Sequence, residues 1–211
     1  TALVGNLAVI AVGRAKYSLI CDERGGIIDD LISYRRGENE YLVVPNAGNA
    51  ETVAAAFAER AAGFDVTIVD ESADTSLIAV QGPNAVAILH SLVSEEQRGL
   101  VSDMRYYSAD EATVAGIAVL LARTGYTGED GFELYLPNAS AEAIWELLFS
   151  AAEKVDGEVL PCGLAARDSL RLEAGMPLYG NELSLEHSPL DAGLARMVEL
   201  NVRNKEHLFA R

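Results

Sequence analysis

The chain has 211 residues, of which 50% are hydrophobic and 23% charged. That apolar content excludes a disordered chain and provides core enough for one large domain or two small ones. With 16 Lys+Arg against 32 Asp+Glu the net charge is −16, which argues against any global affinity for nucleic acid or an anionic membrane but leaves room for a local basic pocket.

Residues 15–21 (AKYSLIC) read as a strand, 22–26 (DERGG) as a turn and 27–34 (IIDDLISY) as a second strand, giving a hairpin. A polar turn at 35–40 leads to a third strand, 41–44, closed by Pro45. The Ala-rich, periodic segment 51–62 predicts a helix, and FDVTIVD (64–70) a further strand. This order suits a helix packed on an antiparallel sheet, and the polar stretch 71–75 marks a boundary. A second unit begins with a strand at 76–82, a helix over 85–93 introduced by Pro83, and a strand-rich apolar segment at 113–123. Then come an alternating strand at 132–137, a helix from about Ala141 to Lys154 capped by Asn138 or Ser140, and a helix over 162–175 stopped by Gly175 and Pro177. No internal repeat is visible.

The longest apolar run, near Leu7–Val12, is too short to span a bilayer, and no basic segment precedes it. Cys21 and Cys162 lie far apart and read as reduced thiols. His90, His187 and His207 do not recur at metal-ligand spacing, so no metal site is expected.

Three places carry residues suited to chemistry. Adjacent strand residues point to opposite faces, so Asp29 and Asp30 cannot both face solvent if either face is covered. Asp30 shares its face with Ile28, Ile32 and Tyr34, and Asp29 shares its own with Ile27, Leu31 and Ser33, the Asp30 side reading as slightly the more apolar. A carboxylate on such a face either pairs with an arginine, caps a turn, or does functional work. In GYTGEDGFEL (125–134), three glycines form a tight turn entering a strand, which is not a phosphate loop because no GK[ST] follows. By alternation Glu133 and Tyr135 oppose Phe132, Leu134 and Leu136, and pattern alone puts Glu133 on a solvated outer face, with Tyr126 packing the turn. On the last helix, Arg167 and Arg171 lie side by side. Either they join an ion-pair network with Asp168 and Glu173, or Arg167 points with the positive helix end into a polar pocket. Asn46 at the end of the third strand reads as a turn residue. Arg14, Lys16, Arg24, Arg35 and Arg36 gather near the first hairpin as solvated turn charges that could attract an anion.

Taken in order and spacing, GRAKYSLICDERGGIIDDLISYR, YLVVPNAGNAE, QGPNA, RTGYTGEDGFELYLP, PCGLAARDSLRLEAGMPLYGNEL and HSPLDAGL resemble the T-protein family of the glycine cleavage system, the folate-dependent aminomethyltransferases, from about Gly13 to Arg211. The resemblance implies an α+β fold: two α+β lobes with antiparallel sheets, part of a three-domain arrangement around a central tetrahydrofolate cavity. Residues 1–72 would be most of one lobe and 73–211 most of the second, with the closing segment NKEHLFAR leading toward a C-terminal barrel. It further implies that the chain is incomplete, lacking an N-terminal stretch and that barrel.

The implied reaction moves an aminomethyl carbon from the lipoyl arm of an H-protein to tetrahydrofolate, releasing ammonia, in the cytoplasm (or the mitochondrial matrix of a eukaryote). Nucleic acid, membrane and metal have no part in it. By resemblance Asp30 is the catalytic aspartate, holding or moving a proton at the folate nitrogen and stabilising iminium-like charge. Glu133 is the pterin-binding glutamate and Arg167 the folate-site arginine. Asn46, Tyr126 and Met176 line the cavity, and Ile32 and Val44 form its apolar wall. Pro45 departs from the family's usual VVNA pattern. Docking of an acidic partner would need the basic cluster of Arg14, Lys16, Arg24, Arg35 and Arg36.

Two other readings share the superfamily. A non-enzymatic iron–sulfur maintenance protein would carry a Cys-containing KGCYxGQ-like motif where this chain has GMPLYGNEL. A folate-dependent demethylase would share the pocket and differ in carbon donor. The full motif set and the HSPLDAGL ending favour the aminomethyltransferase.

Overall fold

A computed structural model describes residues 2–155 and 157–198, so the expected link NKEHLFAR lies outside the described residues. The fold is α+β. Strands β1 (Ala15–Cys21), β2 (Ile27–Arg35) and β3 (Tyr41–Pro45) form one antiparallel sheet in the order β1-β2-β3. Helix α1 (Ala50–Arg60) covers one face of it, with Val53 packed against Ile20 and Leu31. The second sheet has the order β4-β7-β6-β5, from β4 (Thr75–Gln81), β5 (Ala109–Val114), β6 (Ile117–Ala122) and β7 (Gly131–Pro137). Helices α2 (Ala85–Leu92), α3 (Arg98–Asp103) and α4 (Ala141–Lys154) bury the other side of this sheet. Phe132, Leu134 and Leu136 from β7 meet Ile88 and Leu89 from α2 and Ile144 and Leu148 from α4 there. Helix α5 (Leu164–Glu173) follows.

The strand register decides what faces what. Residues directly opposite in an antiparallel pair share a face. Tyr17 pairs with Ile32, Leu19 with Asp30, Val44 with Ile32 and Leu42 with Tyr34, so these residues form the face turned away from α1. In the second sheet Glu133 pairs with Ala122 and Tyr135 with Leu120, on the face away from α2 and α4. The two faces meet in one buried cluster of Tyr34, Ala109, Leu120, Ala122 and Tyr135, flanked by Ile32, Leu42 and Val44. An isolated bridge between Arg14 and Ser108 joins the start of β1 to the residue before β5.

The structure contains a repeat that residue patterning does not show. Three antiparallel strands, a short 3-10 turn and a helix occur twice, as β1-β2-β3-α1 and as β5-β6-β7-α4. Both third strands end in Pro-Asn-Ala, at Pro45-Asn46-Ala47 and Pro137-Asn138-Ala139, where the proline closes the strand and the next residues turn into the helix.

Other expectations need correction. Residues 64–70 are not a strand. Among the described residues no neighbouring strand takes up their backbone groups, and Phe64, Val66 and Val69 are exposed; extended, apolar sequence becomes a strand only with a partner for its ladder. The strand-rich apolar segment 113–123 holds the end of β5, a turn and β6. It turns at Ala115-Gly116, whose φ values of 50° and 84° fit the primed turn favoured in two-residue hairpins. Neither Asn138 nor Ser140 caps α4 through its side chain: Asn138 instead bonds Ser76 and the Ala73 carbonyl. Helix α3 had no counterpart in the sequence reading.

Candidate functional site

An open cavity of about 2290 Å³ is lined by residues of both meeting faces and extends beyond them to α1 and to residues 64–72. Asp30, Ile32, Val44, Asn46, Tyr126, Glu133, Arg167 and Met176, which come from β2, β3, β7, α5 and three loops, all line it. Ile32 and Val44 are cross-strand neighbours on its apolar wall.

Asp30 and Asp29 divide as the pleat requires, but with burial opposite to the slight apolar bias of the sequence. The Asp29 side is the fully covered one, because α1 packs on it: Asp29 has no exposed surface. Its carboxylate accepts the backbone N–H of Asn46 (2.9 Å), the Asn46 Nδ2 (2.9 Å) and the Asn49 Nδ2 (2.7 Å), so it holds the corner between β3 and α1. Asp30 faces the cavity, and its Oδ1 accepts Asn46 Nδ2 (2.7 Å) while its Oδ2 accepts the Tyr17 hydroxyl (2.9 Å). Burial raises the Asp30 carboxyl above the ordinary aspartate range, and the two hydrogen bonds oppose that shift. Burial and the Asp30 charge raise the Tyr17 phenol, so it stays a protonated donor. Pro45 leaves Asn46 where it bridges both aspartates.

Glu133 is not on a solvated outer face. The first sheet covers that side of β7, which a single-strand pattern cannot reveal. Its Oε2 accepts the Thr124 hydroxyl at 2.5 Å and lies 3.4 Å from the Tyr34 hydroxyl, while Oε1 has no hydrogen-bond partner among the described residues. The loop carrying Thr124 and Tyr126 is clamped by Gln81, whose Nε2 donates to the Thr124 and Phe132 carbonyls, both at 3.0 Å. Gly125 leaves room for that clamp: a Cβ there would sit 1.8 Å from Gln81 Oε1, and the glutamine side chain would have to move.

The two arginines of α5 separate. Arg167 stacks over the Tyr126 ring at 4.6 Å, on the cavity side, and the Tyr126 hydroxyl donates to the Pro177 carbonyl. Arg171 is the buried one. It pairs with Asp168 (2.6 Å) and Glu182 (2.7 Å) and donates to the Met176 carbonyl (3.2 Å), which fixes the segment presenting Met176. Glu173 takes no part in that network. Thus Arg171 alone forms an ion-pair network, with Asp168 and Glu182 in place of Glu173, and Arg167 lies on the cavity side.

A profile described as the GCVT N-terminal domain matches residues 2–202. The chain belongs to the GCVT family. It is 55% identical over 193 residues to an aminomethyltransferase of Corynebacterium aurimucosum, covering 92% of this chain and 52% of that protein. An aminomethyltransferase of Streptomyces avermitilis is 54% identical over 198 residues, covering 94% and 52%. The crystal structure of glycine cleavage system aminomethyltransferase T from Bartonella henselae superposes with a TM-score of 0.78 at 39% identity, over 97% of this chain and 52% of that one. The chain therefore spans about half the length of the curated relatives it matches.

Within this GCVT chain, sequence reasoning missed Tyr17, Tyr34 and Thr124. The predicted hairpin could have found Tyr17, since its register places that residue diagonal to Asp30 on one face. The contacts of Tyr34 and Thr124 cross between sheets and have no local signal. The cations of the first hairpin each have partners. Arg14 bonds Ser108, Lys16 the Asn6 carbonyl, and Arg24 pairs with Asp22. Arg36 pairs with Glu40 and Glu111, and Arg35 is spent on the Ala8, Ile10, Gly37 and Glu38 carbonyls. Among the described residues no group of three or more His, Cys, Asp or Glu could hold a metal ion, and no helix is long and apolar enough to cross a membrane.

Proposed function

We propose that this chain forms the folate-binding part of a tetrahydrofolate-dependent aminomethyltransferase, which moves the aminomethyl carbon from a lipoyl-bearing H-protein to tetrahydrofolate with release of ammonia in the cytoplasm. The observation that carries this reading is the pair of carboxylates in one cavity: Asp30 held by Tyr17 and Asn46, and Glu133 with one oxygen unpartnered. Family membership and the aminomethyltransferase relatives support it.

In this reading residues 1–72 and 73–211 are the two lobes, and the ligand lies between their sheets. Glu133 accepts from the donor edge of the pterin ring, and Arg167, stacked on Tyr126, offers its guanidinium fork to carbonyl or carboxylate oxygens. Ile32, Val44 and Met176 pack the ring and exclude water. Asp30 sits where a partly dry carboxylate holds a proton at the reacting amine and offsets cationic charge as the carbon transfers. The ligand amine is itself the nucleophile, so the protein's contribution is positioning and electrostatics. The test is formation of methylenetetrahydrofolate from tetrahydrofolate and aminomethyl-lipoyl H-protein by the protein at its natural length. Turnover that requires both substrates supports the reading, and turnover that persists with either omitted, or is absent with both present, overturns it.

A further inference from the structure

We infer that Tyr135, Tyr34 and Thr124 form a one-way hydroxyl relay ending on Glu133, and that this relay, by fixing the Glu133 carboxylate, makes the cavity selective for a ligand edge carrying adjacent N–H donors. The inference rests on the folate reading above for the identity of that ligand.

The direction of the relay follows from counting donors. An ionised carboxylate accepts and never donates, whereas each hydroxyl has one proton to give. Thr124 Oγ1 lies 2.5 Å from Glu133 Oε2, so the threonine proton goes to the glutamate. Tyr34 lies 2.8 Å from Thr124 Oγ1 and 3.4 Å from Glu133 Oε2, so its proton goes to the nearer threonine oxygen. Tyr135 is 3.0 Å from the Tyr34 oxygen and has no other hydrogen-bond partner among the described residues, so it donates to Tyr34. Every member is then satisfied, and each donation polarises the next toward the carboxylate. Burial raises the phenols of Tyr34 and Tyr135, which keeps both protonated as the relay needs.

The relay is built, not incidental. Thr124 is 2% exposed, Tyr34 1% and Tyr135 7%. Three buried hydroxyls at the meeting of two sheets cost stability unless all are paired, and the last proton of the chain, that of Thr124, is taken up by Glu133. The tyrosine rings also pack edge to face, with centroids 5.7 Å apart, so neither hydroxyl can swing away. Tyr34 belongs to β2, whereas Thr124, Glu133 and Tyr135 belong to the second sheet and its loop. Recognition at Glu133 is thereby tied to the packing of one sheet on the other. With one lone pair of Oε2 taken by Thr124, the other lone pair of Oε2 and the unpartnered Oε1 remain as two adjacent acceptors for the cavity. That arrangement favours a planar edge with two neighbouring donors and rejects an analogue lacking one.

The test compares tetrahydrofolate with its 2-desamino analogue by calorimetric titration of the natural-length protein, as wild type, Thr124→Val, Thr124→Ser and Tyr34→Phe. The wild type should prefer tetrahydrofolate. Thr124→Val should weaken tetrahydrofolate by about 10–50-fold, the range of a lost charge-assisted hydrogen bond, while the analogue moves much less, so the preference collapses. Thr124→Ser, which keeps the hydroxyl, should restore it, and Tyr34→Phe should fall between. If Thr124→Val weakens both ligands in parallel, or neither, the relay does not set selectivity and the inference is overturned. If the wild type binds neither ligand, the folate reading fails, and the relay is then decided by NMR of the Thr124 hydroxyl proton. A proton protected from exchange in wild type and exposed in Tyr34→Phe sustains the relay; free exchange in wild type overturns it.

Discussion

Replacing Asp29 by leucine removes a carboxylate that never meets solvent and leaves its donors facing an apolar side chain of similar volume. Three N–H groups lose their acceptor: the Asn46 backbone, the Asn46 amide and the Asn49 amide, at 2.9, 2.9 and 2.7 Å. An orphaned buried donor costs about 1–3 kcal/mol. The Asn46 backbone group cannot move and takes the upper part of that range. The two amides belong to half-buried residues and keep other acceptors, the Asp30 carboxylate and the Ile28 carbonyl, so they take the lower part. The sum is about 3–5 kcal/mol, a large fraction of the roughly 5–15 kcal/mol that holds a typical domain together. Urea unfolding followed by circular dichroism reads this as a lower midpoint at unchanged slope. Asp29→Asn, which keeps one acceptor oxygen, should lose about half as much. A leucine variant within about 1 kcal/mol of wild type would refute the claim that Asp29 holds the β3–α1 corner.

Asp30→Asn should change how stability depends on pH. Burial raises the folded Asp30 carboxyl, so the native state binds this proton more tightly than the unfolded chain does, and stability falls as pH rises from the ordinary aspartate value through the raised folded one. The asparagine amide sets an N–H group against one of the two donors, a cost present at every pH, so the variant's melting temperature relative to wild type should rise between the ordinary value of 3.8 and pH 7, as scanning calorimetry would show. A difference independent of pH would contradict this assignment. Ala115→Gly relieves a left-handed φ of 50° in the β5–β6 turn and should raise stability by about 1 kcal/mol, or about 2–4 °C in melting temperature. A lower melting temperature would show that Ala115 is held without strain.

Local pattern told most where an element depends on its own residues. The hairpin of β1 and β2 carries alternation and a glycine turn, and α4 and α5 carry helical periodicity ended by their own breakers, so their placement was legible within a few residues. Residues 64–70 have the same strand-like composition and form no strand, because pairing belongs to the neighbour and not to the segment. Glu133 shows the same boundary at the site. Alternation assigned it correctly to the face of Tyr135, but only the packing of the first sheet decides that this face is covered. Asp29 and Asp30 were separated by the pleat, whereas α1, a tertiary neighbour, determines which of them is buried. The repeated β-β-β-α unit is invisible for a related reason, since its copies share topology and a Pro-Asn-Ala corner but little else.

The role proposed for Asp30, assisting carbon transfer in the cavity, is tested most directly by one comparison. Methylenetetrahydrofolate formation from tetrahydrofolate and aminomethyl-lipoyl H-protein is followed with wild type and Asp30→Asn at natural length, with tetrahydrofolate binding measured alongside. The prediction is a wild-type rate that falls at least about tenfold in the variant, equivalent to about 1.4 kcal/mol of barrier, with tetrahydrofolate still bound. An unchanged rate in the variant, or tetrahydrofolate binding without any H-protein-dependent turnover in wild type, would contradict it.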